Sequence, residues 1–249
     1  MSVSAYPLSH RFLLGRARHR LSEHERGVVE GLITDVERFT SAHVVLERGD
    51  VVSRSTLLIE GFVARVINEG GRRHIVALHV PGDFVDLHAF ALKRLDHSIV
   101  SIGPVMVGYT THKKLEGLMQ TEPHLSRMLW FSTLLDAAMH REWIMKLEQS
   151  TVPKRIAHVF AEIWRRLEMV GQAFPDGFET PLRQSEIAEM CGATAIHTNR
   201  ALADLRRNDL ADFRRGEVRI RDRARLEDYA GFRPDYLYGE GSLALRRAG

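Results

Sequence analysis

Cysteine is almost absent. The 249 residues hold one, Cys191, which excludes an internal disulfide and a four-cysteine iron–sulfur cluster within one chain. Beside the turn-forming Gly192, its thiol reads as a small buried hydrophobe rather than a redox switch. Long apolar runs are missing too: no stretch of about 18 apolar residues is there to span a membrane. The start, Met1 to Leu21, lacks the apolar core of a signal peptide. The expectation is a cytoplasmic protein with no membrane partner. Thirteen histidines occur, yet none as His-x-His, the spacing that puts two metal ligands on one face of a strand. His74 and His79 come closest, and at five residues apart they point to opposite faces of a continuous strand. A Gly-x-Ser-x-Gly elbow and a Gly-rich phosphate loop are also missing. No enzyme, catalytic residue, metal or cofactor is therefore expected. Net charge is small, at +3, so any argument for nucleic acid must come from where the charge sits.

It sits near the carboxyl end. Residues 185–205 have the pattern of a helix-turn-helix. Ile187 and Ala188 fall on a short first helix, where the small Ala lets a second helix cross closely. Gly192 supplies the turn, because a residue without Cβ takes positive φ freely. Thr194 is placed to cap the second helix. On that helix Thr198, Leu202 and Leu205 share an inward face, and Ile196, Arg200, Ala203 and Arg207 lie opposite. Two short strands follow, Leu210 to Phe213 and Glu217 to Ile220, around Arg214-Arg215-Gly216. Such a hairpin has the position of the wing in a winged helix. Between Arg206 and Arg225 eight arginines face four acids, Asp209, Asp212, Glu217 and Asp222, a local surplus suited to phosphates.

Upstream the texture differs. Arg11, Arg16, Arg18 and Arg20 form a basic arm read as solvated, and Ser22-Glu23-His24-Glu25 opens a helix to about Ile33 as a capping box. From Val36 to about Tyr109 short β-rich runs alternate with breakers. The runs are His43 to Leu46, Thr56 to Glu60, Phe62 to Ile67, His74 to Val80 and Ile99 to Ile102. The breakers are Gly49-Asp50, Gly70-Gly71, Pro81-Gly82-Asp83 and Gly103-Pro104. This spacing predicts a small jelly roll or barrel.

Glu122 to Ser150 reads as one long helix that is apolar on nearly every side between Met128 and Met139. A helix apolar all round must be buried all round, and a second copy of the same helix is its expected cover. Met128, Leu135 and Met139 are assigned to that dimer interface. A linker is expected near Thr151-Val152-Pro153, after which Ile156, Val159, Phe160, Ile163 and Leu167 restart a helix. The predicted class is α+β, in three parts. Residues 1–121 form a β-roll sensor domain with N-terminal helices, 122–150 a dimerisation helix, and 151–249 a winged helix with a C-terminal tail.

Gly61-Phe62-Val63-Ala64-Arg65 and Val80-Pro81-Gly82-Asp83-Phe84 in the roll, then the long helix, then the winged helix, give an order that resembles the Crp/Fnr family of bacterial transcription regulators. The resemblance spans roughly Arg38 to Ile220. It implies a cyclic-nucleotide-binding-like β-roll and a homodimer that binds a palindromic operator on double-stranded DNA and contacts RNA polymerase. The DNA-contacting set it implies is Gln184, Ser185, Thr194, Ala195, Ile196, His197, Arg200, Arg207 and Arg215. Within it Arg200 is placed to reach guanine, Ile196 or Ala195 a thymine methyl, and Gln184 and His197 the phosphates.

Two departures from the family pattern bear on the effector. Members that respond to cyclic AMP carry a Gly-Glu pair for the ribose and, about eleven residues on, an Arg-Ser pair for the phosphate. The matching positions here read Asp86-Leu87 and His97-Ser98. An anion without its bidentate guanidinium binds poorly, so cyclic AMP is not expected and the effector stays open, with a vestigial pocket one outcome. The alternative is a ligand-binding adaptor, or a haem or small-molecule sensor, that does not itself act on DNA; haem would be held by His74, His79, His88 or His97.

Overall fold

The computed structural model describes residues 5–240. Residues 1–4, and 241–249 at the end of the expected C-terminal tail, lie outside the described residues. Turns precede helix α1 (Glu23–Leu32), whose capping box is formed: Ser22 Oγ accepts from the Glu25 N–H, and the Glu25 carboxylate accepts from the Ser22 N–H. The basic arm is not solvated as expected. Phe12, Leu13 and Ala17 are buried, and Arg16 with them at 4% exposure. Arg16 Nε donates to the Leu237 carbonyl at 3.1 Å, and Arg18 donates to the Ser9 and Phe12 carbonyls. Buried turns leave carbonyls without ladder partners, and the guanidinium donors supply them.

Strands β1 (Asp35–Phe39), β2 (Val44–Leu46), β3 (Arg54–Glu69) and β4 (Arg72–His79) follow, then the short α2 (Ala89–Leu92), β5 (Ser98–Thr111) and α3 (His112–Thr121). They build an antiparallel sheet in the order β1-β5-β3-β4, with β2 on β5. The sequence suggested breaks at Gly61 and at Gly103-Pro104, and the structure instead has two long strands, each bent. Phe62 pairs with Ile102 and Glu60 with Met106, so three residues of β5 oppose Gly61 alone. That bulge lets one strand turn the corner of the roll. Gly61 has φ +87°, and a Cβ there would stand 2.3 Å from the Pro104 carbonyl oxygen, so no side chain fits.

Helix α4 (Pro123–Gln149) leads to α5 (Val152–Met169). The linker is shorter than expected: only Ser150 and Thr151 interrupt the helices, and Pro153 sits in the first turn of α5, where its missing N–H costs nothing. Then come β6 (Gly177–Glu179), α6 (Gln184–Met190), α7 (Ala195–Arg207), β7 (Asp212–Arg214), β8 (Glu217–Arg219) and α8 (Arg223–Ala230). The second sheet has the order β6-β8-β7; β6 escaped the sequence reading because three residues carry no periodicity.

The faces of α4 differ from expectation. Leu135 and Met139 belong to the core shared with α5, and Met128 to the core under α1, at 4%, 8% and 6% exposure. These three therefore fill the chain's own interior and are withdrawn from the dimer interface. The apolar residues left outside are Trp130, Leu134, Ile144, Met145 and Leu147. Among the described residues no helix is long and apolar enough to cross a membrane.

Candidate nucleic-acid interface

Helices α6 and α7 form the expected corner. Ile187 is 0% and Ala188 6% exposed at the crossing, and Gly192 turns it with φ +57°. Cys191 beside it is buried, which pushes its thiol up to about 12 and leaves no reactive thiolate at neutral pH. Thr194 caps α7, its Oγ1 accepting from the His197 N–H. Thr198, Leu202 and Leu205 point inward at 0%, 5% and 1% exposure, joined by Ala201. Ala195, Ile196, His197 and Arg200 are exposed on α7, as are Gln184 and Ser185 at the start of α6.

The arginine cluster is less available than its count implied. Arg206 and Arg214 share Asp212, Arg207 holds Asp204, and Arg219 holds Glu217 and Asp176. Arg221 lies 3.6 Å from Asp209, and Arg223 bridges Glu168 and Glu227. Six of the eight are thus partly neutralised at home. Arg215 and Arg225 form no ion pair among the described residues, and neither does Arg200. Arg215 occupies the β7–β8 turn at φ +51° ahead of Gly216, where its side chain is exposed at the wing tip.

The positions expected to hold an effector are bonded to the protein. Asp86 is fully buried and accepts from both the backbone N–H and the hydroxyl of Thr56. Burial pushes its carboxyl up to about 6. Leu87 is 8% exposed. The His97 Nδ1 lies 2.7 Å from Asp96, and Ser98 donates to Glu47 while accepting from the Arg48 N–H. Arg65 of β3 crosses from the roll to α4, pairing with Asp136 and donating to the Val85 carbonyl. His79 and His88 are also drawn into this interior. Burial lowers the pKa of both, aided by the charge of Arg65.

Sequence reasoning missed Arg65, Arg16 and Arg166 as buried cations. A signal existed for Arg166: it stands three residues after Ile163, on the apolar stripe of α5. There it is 1% exposed and pairs with Asp83 and Glu162.

A bent antiparallel roll joined by a long helix to a winged helix with an open reading helix defines a DNA-binding regulator of transcription. Residues 36–122 match the cyclic nucleotide-binding domain and residues 154–229 the Crp-like helix-turn-helix domain. The chain belongs to the Crp/Fnr family. It is 28% identical over 200 residues to the transcriptional activator protein FnrL of Cereibacter sphaeroides, covering 78% of this chain and 79% of that protein. It is 24% identical over 194 residues to the nitrogen fixation regulation protein FixK of Bradyrhizobium diazoefficiens, covering 77% and 80%. The fold is that of FixK2 from Bradyrhizobium japonicum, with TM-score 0.72 at 21% identity over 80% of this chain and 98% of that one.

Proposed function

We propose that this regulator acts as a homodimer on a palindromic operator, placing α7 of each protomer in a major groove about 34 Å apart. Arg200, exposed and free of any ion pair among the described residues, carries the reading. Its guanidinium matches guanine O6 and N7, and Ile196 or Ala195 beside it matches a thymine methyl. Gln184 and His197 take phosphates, with Ser185 and Thr194 at the same helix ends. Arg215 takes a phosphate from the wing. Arg207 joins them by exchanging Asp204 for DNA, a small step because an exposed ion pair is worth little.

The outer face of α4 supports the dimer. Trp130, Leu134, Ala137, Arg141 and Ile144 recur at alternating steps of four and three, the seam of a coiled coil. Trp130, Leu134 and Ile144 are 65%, 53% and 66% exposed, a large apolar surface for a lone chain. A groove of about 570 Å³ opens between Trp130, Leu134 and Tyr238 and suits side chains of a partner helix. RNA polymerase is the proposed partner on the output side, which the activator name of FnrL supports, and the proposed compartment is the cytoplasm. Titration of protein into a palindromic duplex checks the assembly: two chains per duplex are expected, and saturation at one chain contradicts it.

Cyclic AMP is not the proposed effector. The carboxylate of Asp86 is engaged by Thr56, and His97 replaces the cation that a cyclic phosphate needs. Titration calorimetry is expected to give no binding at tens of micromolar nucleotide. A dissociation constant near micromolar, about −8 kcal/mol, contradicts this reading of the pocket.

A further inference from the structure

Between the β-roll and the DNA-reading domain lies an ionic knot that ties α5 to the roll. Arg166 of α5 donates Nη2 to Asp83 at 2.7 Å and Nη1 to the Leu78 carbonyl at 2.8 Å, both on the roll, and Nη1 also reaches Glu162 at 3.2 Å. Glu162, one turn earlier, accepts from the Trp143 indole at 3.0 Å and the Tyr236 hydroxyl at 2.7 Å. The two ends of the described chain close over this knot. Arg16 donates to the Leu237 carbonyl, and the Glu240 N–H donates to the Gly15 carbonyl at 3.0 Å. Both end segments lie outside the two matched ranges, 36–122 and 154–229.

An apolar contact would hold these elements together as well, and a buried ion pair is no better for stability than a matched hydrophobic one. What a guanidinium with three fixed acceptors adds is direction, because its planar fork satisfies them in one orientation only. Orientation matters here because the reading domain is built on α5. Arg155, in the first turn of that helix, donates to the Cys191 carbonyl at 2.8 Å at the α6–α7 corner, so the angle at which Arg166 seats the far end of α5 on the roll sets the direction in which α7 is presented.

We propose that Arg166 is a positioning residue for DNA recognition: through Asp83 it fixes the angle of the winged helix on the roll, and so the operator half-site spacing that the dimer accepts. The inference rests on the dimeric reading above. Arg166 touches no DNA and acts only through the placement of α7.

The full-length chain is titrated against its operator, against operators with the spacer lengthened or shortened by one and two base pairs, and against one isolated half-site. The parent is expected to prefer one spacer by at least roughly tenfold. Arg166→Met should flatten that preference to within about threefold while leaving half-site affinity unchanged. Arg166→Lys, which keeps the charge without the fork, should recover part of it. Because Arg166→Met leaves Asp83 and the buried Glu162 without their cation, the triple variant Asp83→Asn/Glu162→Gln/Arg166→Met removes all three charges and keeps the fold testable. Tyr236→Phe, which deletes one hydrogen bond at the rim, should relax the preference least. A folded triple variant as strict as the parent overturns the proposal. A parent that binds the palindrome no better than the half-site overturns the dimeric reading, and this inference with it, before any substitution is made.

Discussion

Leu134→Glu is expected to convert the proposed dimer into folded monomers at micromolar concentration. Leu134 is 53% exposed on α4, so a carboxylate there is solvated in the monomer and desolvated only in the seam, twice per dimer. Burying an unpaired charge costs several kcal/mol, enough to move a micromolar equilibrium out of reach. The neighbour behaves oppositely. Leu135 is 4% exposed in the core between α4 and α5, so Leu135→Glu should unfold the chain by about 3 kcal/mol or more rather than dissociate it. Sedimentation with circular dichroism separates the two outcomes. A folded Leu134→Glu dimer would move the interface off this face.

Arg200→Ala is expected to weaken operator binding by about 1–3 kcal/mol per half-site and to relax the preference at one base position in each. The loss should be sequence-dependent, because the contact proposed for Arg200 is a bidentate one to guanine. Arg215→Ala should differ in kind. Without a base to read, it should weaken binding to every sequence alike and make the salt dependence shallower by about one unit per subunit. Titrating both variants against single-base operator variants at several salt concentrations resolves them. A uniform loss for Arg200→Ala assigns that residue to the phosphate backbone.

The helix-turn-helix was legible because each of its parts is a local rule. Gly192 answers a positive φ, Thr194 a helix N-terminus, and Thr198, Leu202 and Leu205 a buried stripe. The order of roll, long helix and winged helix was legible for the same reason. What escaped depends on contacts distant in sequence. Gly61 and Gly103-Pro104 look like chain breaks, yet the ladder on either side carries β3 and β5 through them as a bulge. The apolar girth of α4 announced burial without saying which side the chain itself covers. Leu135 and Leu134 are neighbours in sequence and opposite in fate, because α5 and the roll occupy only one flank.

Charge was read least well. Eight arginines in a row of twenty residues look like a phosphate surface until Asp212, Asp204, Asp176, Glu217, Asp209, Glu168 and Glu227 are seen to hold six of them. The arm that holds Arg16 looked solvated because its acceptors are carbonyls, and a carbonyl leaves no trace in composition.

The central claim, a paired reader of DNA sequence, is tested most directly by selecting bound duplexes from a random pool with the full-length chain. The account predicts enrichment of a palindrome with a guanine in each half-site that Arg200→Ala no longer enforces. Enrichment of a single unpaired site, or of no sequence at all at low salt, would contradict it.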